Sequence, residues 1–339
     1  MLTTTKNNLS SYTPVLSHLS TISEDVASGL KSAQKKLPAR LFHNNEGCRI
    51  LSDILRLPEY YITSCEDQIL EHIKNRLPAL FSPDGTSFNL IDLEANHDRS
   101  RPVLEALSSK KIPFRYTPVN TNKTELDSVC KSAKARYPEL YCEPLADEAA
   151  DALRNVARSE NKRRIVMLLG ANIGIYTHKE ARNFLRELRG QLSPNDLLVI
   201  GFDLKKNPKQ ILDAYNDEAG VSRAFNLNLL QSVNREMDGN FNVSKFFYCP
   251  VYDPNSGELN SYLVSSQKQV VLLNNGNLRV PFEAWETIHT EVSKKYDTEE
   301  INSLAYESGF EHQELHKDDK GWYALAIWTA GQQAALIND

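Results

Sequence analysis

A chain of 339 residues, with 41% hydrophobic and 24% charged side chains, has the composition of a folded globular protein of one large domain or two domains. Its net charge of −5 does not support nucleic-acid binding, which usually needs a basic surface. No run of about 20 apolar residues is present, so no membrane span is expected. The 5 scattered cysteines, without a C-x-x-C pair, favour a reducing compartment, the cytoplasm, and argue against a metal site.

The first residues differ in composition from the rest of the chain. Residues 1–20 are rich in Ser, Thr and Asn and are predicted to be flexible. Apolar residues at helical spacing then predict three helices, near 22–36, 46–56 and 64–79. The segment "LPEYY" at 57–61 contains a proline and connects the last two of these helices.

In the middle of the chain, short apolar runs alternate with helical patterns. Strands are predicted at 88–93, 112–120, 139–145, 163–170 and 196–203. The helix that follows "RRIVMLLG" begins with a capping box formed by Thr177 and Glu180. Because strands that alternate with helices favour a parallel sheet covered on both faces, the predicted fold class is α/β and Rossmann-like.

The region 206–295 has a different pattern. Two helical stretches are followed by alternating apolar residues and the turn sequence "DPNSGE", which are typical of antiparallel strands. A helix and a last strand, "GWYALAIWTA", then return to the first pattern. We therefore expect a Rossmann-like domain made of 81–205 and 296–339, an inserted α+β lobe at 206–295, and N-terminal helices within 21–80 that pack with this lobe.

The loop after the strand at 88–93 raises the question of a cofactor. In Rossmann-like domains glycines follow such a strand, because a cofactor approaches the backbone there. Here the chain reads Glu94-Ala95-Asn96-His97-Asp98, without a glycine. A carboxylate left alone in a closed cleft is costly, so Glu94 or Asp98 is expected to pair with a nearby Arg or Lys.

Four stretches together resemble a known family. They are "LPARLFHNNEGCRILSDILRLPEYYIT" at 37–63, "MLLGANIGIYTHKEARNFLRELRGQL" at 167–192, the segment 197–237 that contains "AYNDEAGVSRAFNLNLL", and "IHTEVSKKY" at 288–296. They are similar to the histidine-specific, S-adenosylmethionine (SAM)-dependent Nα-methyltransferases of ergothioneine biosynthesis. The resemblance extends from about residue 30 to the end of the chain. It implies a class I methyltransferase domain, a second lobe that closes over the substrate, and N-methylation of histidine or a related small amine.

The resemblance also implies which residues bind the substrate. Tyr60 and Tyr215 match two substrate-contacting tyrosines, and Glu291 and Ser293 match the pair that grips the imidazole ring. A carboxylate and a hydroxyl two residues apart on a strand point the same way and offer an acceptor and an adjustable donor. The four side chains are therefore expected to face one cleft between the lobes, bordered by the loop that begins at Glu94.

Two substrate positions depart from the family pattern. His43 stands where an aromatic hydroxyl is expected, and Ile175 stands where an asparagine holds the substrate carboxylate. An isoleucine side chain cannot donate a hydrogen bond, so a carboxylate beside it would lose an anchor. Histidine itself is therefore expected to be a poor ligand.

The positions that would bind SAM depart further. The family motif G-S-G-T falls on the loop that contains Glu94 and Asn96, and the acid that grips the ribose falls on Asn120. The D-F pair beside the adenine falls on Glu148 and Ala149, or on residues 147–148 with a slip of one. With three contacts altered, we expect weak or undetectable binding of SAM.

Two functions follow from this pattern. The first is an active methyltransferase with an unusual donor loop. The second is an inactive relative that binds a small amino-acid-like ligand, or a protein partner, through the same cleft. A third and weaker hypothesis is a different chemistry on the same scaffold, because a fold does not determine a function. No nucleic-acid or membrane partner is expected.

Overall fold

The computed structural model of the chain describes residues 21–42, 44–96, 99–156 and 162–331. The segment predicted to be flexible, 1–20, lies outside the described residues, and so do His43, His97, Asp98 and the end of the predicted Rossmann-like domain at 332–339. Among the described residues, none of the helices is long and apolar enough to cross a membrane.

A seven-stranded sheet forms the centre of the larger part of the molecule. Its strands in chain order are β2 (Phe88–Leu93), β3 (Phe114–Pro118), β4 (Tyr141–Cys142), β5 (Arg164–Leu168), β6 (Leu197–Asp203), β12 (Glu311–Lys317) and β13 (Tyr323–Thr329). Their order across the sheet is β12-β13-β6-β5-β2-β3-β4. The five strands from β6 to β4 are parallel, and β13 pairs antiparallel with both β6 and β12. The predicted α/β, Rossmann-like fold class is thereby confirmed.

Helices cover both faces of this sheet. They are α3 (Tyr61–Ile73), α4 (Leu77–Phe81), α5 (Arg101–Ser109), α6 (Lys123–Arg136), α7 (Ala149–Asn155), α8 (His178–Gln191) and α11 (Thr298–Glu307). Every residue of β2 and of β6 is buried, which explains why both read as nearly continuous apolar runs. The predicted capping box of Thr177 and Glu180 is present at the start of α8.

The direction of strand order reverses between β2 and β5. The chain proceeds from β2 outward to β4, and then from β5 outward on the other side. In open α/β sheets, ligands bind at the carboxyl ends of the strands beside such a reversal. The loops that follow β2, β5 and β6 therefore border the expected crevice.

A second lobe contains a four-stranded sheet that is antiparallel except for one short parallel pair at its edge. Its strands are β1 (Lys35–Lys36), β7 (Phe246–Asp253), β8 (Glu258–Ser265) and β11 (Thr287–Lys294), in the order β1-β11-β8-β7. The strands β9 (Gln269–Leu273) and β10 (Leu278–Phe282) form a separate pair. The helices of this lobe are α1 (Ile22–Lys31), α2 (Asn45–Ile54), α9 (Pro208–Tyr215) and α10 (Val221–Glu236), and a shared core joins α1 and α10 to the sheet.

The N-terminal helices divide between the two parts, which corrects the expectation that all of 21–80 packs with the lobe. Val26 and Leu30 of α1 lie in the core of the lobe. In contrast, α3 and α4 bury Ile69, Leu70 and Phe81 in the same core as the strands of the central sheet. An apolar stripe on a helix shows that one face is buried, but it does not identify the surface that covers that face.

The edge strand β12 was not predicted from the sequence. Its residues, "EHQELHK", are almost all polar and mostly exposed. A charged edge strand prevents further strand pairing, and it leaves little of the apolar alternation from which strands are predicted.

Candidate active site

Three of the residues expected to bind the substrate meet at one point. Tyr215 ends α9, Ser293 lies near the end of β11, and Tyr60 immediately precedes α3. The hydroxyl oxygens of Tyr215 and Ser293 are 2.7 Å apart. The ring centroids of Tyr60 and Tyr215 are 6.3 Å apart, with the rings inclined by 62°. Residues from three distant parts of the chain therefore form one half-buried cluster at the junction of the sheet and the lobe.

Glu291 lies on the same strand as Ser293 and on the same face of it. The two residues pair with Ser261 and Leu259 of β8, two positions apart in register. A register shift between His289 and Glu291 precedes this segment, and such bulges re-aim the side chains that follow. Burial raises the pKa of Glu291 to about 7, and the charge of Lys295 opposes this rise. Near neutral pH this carboxyl group therefore holds a proton for much of the time.

A buried set of charged groups lies directly behind the hydroxyl pair. The Lys295 ammonium, which has no exposed surface, lies 2.8 Å from the Tyr215 oxygen, the Ser293 oxygen and a carboxylate oxygen of Asp203. Asp203 ends β6, and it also pairs with Lys206 and accepts a hydrogen bond from the hydroxyl of Tyr61. The two ammonium groups hold the pKa of Asp203 low despite its burial.

This charged set was not predicted from the sequence. The one available signal was the position of Lys295, two residues after Ser293, which continues the period of 2 along the strand. Nothing in the sequence connected Lys295 with Asp203, which is 92 positions away along the chain. The contact depends on where the lobe returns to the sheet, at the backbone bridge between Leu204 and Tyr296.

Ile175 ends a short 3-10 helix, Asn172–Ile175, in the loop after β5. This turn lies against β11, because Gly174 approaches the backbone of Lys294 so closely that a Cβ there would be 2.8 Å from its carbonyl oxygen. Ile175 itself is 43% exposed. The residue that precedes Ile175 therefore lies against the strand that carries Glu291 and Ser293. The other departing position, His43, is outside the described residues.

On the donor side, Glu94 has the backbone conformation of a glycine. Its φ is +55°, in the left-handed region that side chains other than glycine rarely adopt. The loop is fixed because the Ala95 amide donates to Val119 O at 2.8 Å and the Asn120 side chain donates to Ala95 O at 3.0 Å. The loop therefore keeps the shape for which a glycine would be suited, while its side chain is a glutamate.

Among the described residues Glu94 has no ion pair, and the pairing of Asp98, which lies outside them, stays a prediction. Burial and the nearby carboxylate of Glu148 together raise the pKa of Glu94 to about 7. The local cation, Arg99, instead faces Glu66 at 3.6 Å and donates to Asn96 at 3.1 Å. Its guanidinium fills the space beside Gly170, and its charge also acts on Tyr60. Asn96 thus holds Arg99 in place.

The other positions expected to bind SAM already make contacts within the protein. The side-chain oxygen of Asn120 accepts a hydrogen bond from the Asn122 amide at 2.8 Å, so both ends of the Asn120 amide are occupied. Ala149, at the start of α7, is buried in the core. Glu148, which precedes it, is half-buried. Tyr176, which was not predicted, stacks on Phe184, and burial together with the carboxylates of Glu94 and Glu148 raises the pKa of its hydroxyl.

Comparison with known proteins gives a consistent result. The sequence model of a family described as "Histidine-specific methyltransferase, SAM-dependent" matches residues 22–330. A histidine N-alpha-methyltransferase of Mycolicibacterium smegmatis is 30% identical over 94% of this chain and 98% of its own length. The protein of the same name from Mycobacterium tuberculosis is 28% identical over 89% of this chain and 93% of its own. A 4-dimethylallyltryptophan N-methyltransferase of Aspergillus fumigatus is 25% identical over 92% and 91%.

The match to the family extends over most of the chain, and it includes both the central sheet and the lobe. It therefore agrees with the resemblance stated from the four sequence stretches. The chain belongs to the family of histidine-specific, SAM-dependent methyltransferases.

Proposed function

We propose that the protein is an N-methyltransferase that takes a small amine bearing an imidazole-type ring, with SAM as the methyl donor. The observation that carries this proposal is the cluster of Glu291, Ser293 and Tyr215 on the lobe side of the junction. It combines a carboxyl group whose pKa is raised by burial with a pair of hydroxyls 2.7 Å apart, where the lobe meets the end of β6.

The hydrogen-bonding capacity of this cluster matches a neutral imidazole ring. Such a ring has one N–H donor and one nitrogen acceptor. An ionised Glu291 accepts from the N–H, and a hydroxyl of the Tyr215–Ser293 pair donates to the other nitrogen. A purely apolar ring leaves Glu291 buried without a partner, which costs about 1–3 kcal/mol. The cluster therefore selects ring ligands that have both a donor and an acceptor.

The part of the substrate that bears the amine lies beside Ile175. An aliphatic side chain offers nothing to a carboxylate, and losing a charge-assisted hydrogen bond costs about 1.5–3 kcal/mol. We infer that the preferred substrate lacks a carboxylate beside its amine, so that histamine binds more tightly than histidine. The fungal relative that is named for 4-dimethylallyltryptophan supports the idea that the family accepts more than one amine.

The residues on the donor side fit SAM in polarity, but they offer fewer contacts than the family motif implies. SAM carries a sulfonium cation, ribose hydroxyls and an exocyclic amine. The carboxyl groups of Glu94 and Glu148 suit these groups, and the loop keeps its glycine-like backbone at Glu94. Asn120 is already hydrogen-bonded within the protein, and Ala149 provides no aromatic wall. We therefore expect SAM to bind weakly.

When bound, SAM supplies an electrophilic methyl group, and the protein contributes mainly by positioning. Glu291 and the hydroxyl pair hold the ring and so fix the direction of the amine. The ammonium of Lys295 lies beside the hydroxyl pair, and its positive charge disfavours a second ammonium ion nearby. A neutral amine, which is the form able to attack the methyl group, is therefore favoured in the cleft.

A second candidate function is ligand binding without methyl transfer. It is favoured by Asn120, whose side chain is already held by a hydrogen bond at each end within the protein. In this case the same cluster would recognise the ring of a small ligand, or a side chain of a protein partner, and the donor side would stay unused.

Calorimetric titration separates the two candidates. Wild type and Ser293→Ala/Glu291→Gln are titrated with histamine, histidine, SAM and S-adenosylhomocysteine. The proposal expects histamine to bind at least about tenfold more tightly than histidine, the double variant to lose this binding, and SAM to bind with low but measurable affinity. Absence of histamine binding would refute the proposed ring site. Histamine binding without any SAM binding would favour the second candidate.

A further inference from the structure

We propose that Lys295 is a positioning residue, which directs the one free hydroxyl proton of the Tyr215–Ser293 pair toward the ligand ring. This inference rests on the proposed function, because it concerns how the same cluster distinguishes a ring acceptor from a ring donor. It adds a residue that the family resemblance did not single out, and it assigns a purpose to a buried ammonium group.

The first step is the geometry of the ammonium. A lysine ammonium has three N–H donors and no acceptor. The Lys295 nitrogen has three oxygens within hydrogen-bonding distance, those of Tyr215, Ser293 and Asp203, each at 2.8 Å. The side chain has no exposed surface. All three donors are therefore used, and each hydroxyl oxygen accepts one of them.

The second step is a count of hydroxyl protons. Tyr215 and Ser293 contribute one O–H each, and at 2.7 Å one hydroxyl donates to the other. One proton is then left over. It cannot point toward Lys295, which offers only donors, so it points away from the ammonium. The pair thus acts as a hydrogen-bond donor to the ligand.

The third step is the consequence of removing the ammonium. Hydroxyls rotate freely, and without a fixed donor behind them either can accept from a ligand as readily as donate. The pair then no longer distinguishes a ring nitrogen acceptor from a ring N–H. Of the four lone pairs on the two oxygens, Lys295 occupies two and the hydrogen bond within the pair occupies one, so Lys295 biases the two hydroxyls toward donating to the ligand. Asp203 holds the ammonium in place from the end of β6.

Lys206 provides a matched control. It also pairs with Asp203, and it donates to the hydroxyl of Tyr61 at 2.8 Å and to Leu204 O at 2.6 Å. No hydrogen bond joins it to Tyr215 or Ser293 among the described residues. Lys206→Met therefore removes a buried ammonium from the same carboxylate without changing the donors to the hydroxyl pair. Lys295→Met removes an ammonium from Asp203 and also removes the donors to the hydroxyl pair.

The experiment is a calorimetric titration of the folded protein with histamine. Lys295→Met is expected to weaken binding by about tenfold or more, the value of one directed hydrogen bond, while Lys206→Met stays within about twofold of wild type. In a Tyr215→Phe/Ser293→Ala background, adding Lys295→Met is expected to cause no further loss, because the groups through which it acts are gone. Should Lys295→Met not fold, Lys295→Gln is compared with Lys206→Gln, with the same order expected.

The outcomes distinguish a positioning role of Lys295 from a purely structural role and from failure of the proposed function. If Lys295→Met and Lys206→Met weaken binding equally, or if Lys295→Met adds its full loss in the background without hydroxyls, Lys295 has only a structural role and the inference is overturned. If wild type binds histamine and both lysine variants match it, the inference also falls while the proposed function stands. If wild type does not bind histamine, both fall together.

Discussion

Substitution of Glu94 by glutamine should make the protein more stable at pH 8 but not at pH 4.5. The pKa of Glu94 rises from its ordinary 4.5 to about 7 in the folded protein, because of burial and the Glu148 carboxylate. Below pH 4.5 the group is protonated in both the folded and the unfolded chain. Between pH 4.5 and about 7 the unfolded chain loses this proton first, so the free energy of unfolding falls as pH rises.

The size of this effect follows from the same values. A rise from 4.5 to about 7, at about 1.36 kcal/mol for each pH unit, corresponds to about 3 kcal/mol of lost stability above pH 7. Glutamine keeps the size of the side chain and the left-handed backbone, and it removes only the ionisation. Part of the gain is offset by the buried amide, so an increase of about 1–3 kcal/mol is expected at pH 8.

Urea unfolding of wild type and Glu94→Gln at pH 4.5 and pH 8 measures this difference. Glu139→Gln, a change at an exposed glutamate, serves as the control and should show no pH-dependent gain. Equal stability of Glu94→Gln and wild type at both pH values would refute the reasoning. It would mean that the carboxylate is solvated or paired with a cation, and that the donor side of the cleft is not as acidic as described.

Four further substitutions test other parts of the account. Glu94→Gly, which suits the φ of +55° and frees the space of the side chain, should raise SAM affinity by about tenfold in calorimetry. Ile175→Asn should improve histidine binding by about tenfold relative to histamine; an unchanged ratio would show that the carboxylate does not lie there. Between pH 8 and pH 6, Glu291→Gln should lose less histamine affinity than wild type, because the pKa of Glu291 is about 7 and its ionised form is the stronger acceptor for the ring N–H. Arg99→Met should lower the free energy of unfolding by about 3 kcal/mol, because it leaves the buried Glu66 without its cation; a loss below about 1 kcal/mol would contradict this.

The central sheet was predictable because burial on both faces leaves a clear record in the sequence. Strands β2, β5 and β6 are apolar along almost their whole length, and the capping box of α8 marks where a helix begins. The strand β12 had no such record, because an exposed edge is polar. The surface against which α3 packs could not be predicted either, because an apolar stripe on a helix fits the lobe and the central sheet equally well.

The candidate substrate residues were predicted from the family resemblance and not from a pattern of their own. Glu291 and Ser293 would pass as ordinary strand residues, and only the family motif connected them with Tyr60 and Tyr215. Lys295 and Asp203, which complete the cluster, had no motif to identify them. Their contact arises from the three-dimensional return of the lobe to the sheet.

The loop after β2 shows a limit of reading charge from sequence. Glu94 or Asp98 was expected to pair with a nearby Arg or Lys, and Arg99 is only five residues from Glu94. In the structure that arginine turns toward Glu66, which also accepts hydrogen bonds from the Gly170 amide and the Tyr323 hydroxyl. Competition between two acceptors for one cation depends on tertiary contacts, which a local pattern does not contain.

The most direct test of the account is product analysis by mass spectrometry after incubation with methyl-labelled SAM at high concentration and histamine. Wild type is expected to transfer one labelled methyl group or more to the aliphatic amine of histamine. Glu291→Gln/Ser293→Ala is expected to give no labelled product. Absence of labelled product from a wild-type protein that binds histamine would contradict methyl transfer and leave ligand binding as the function of the cleft.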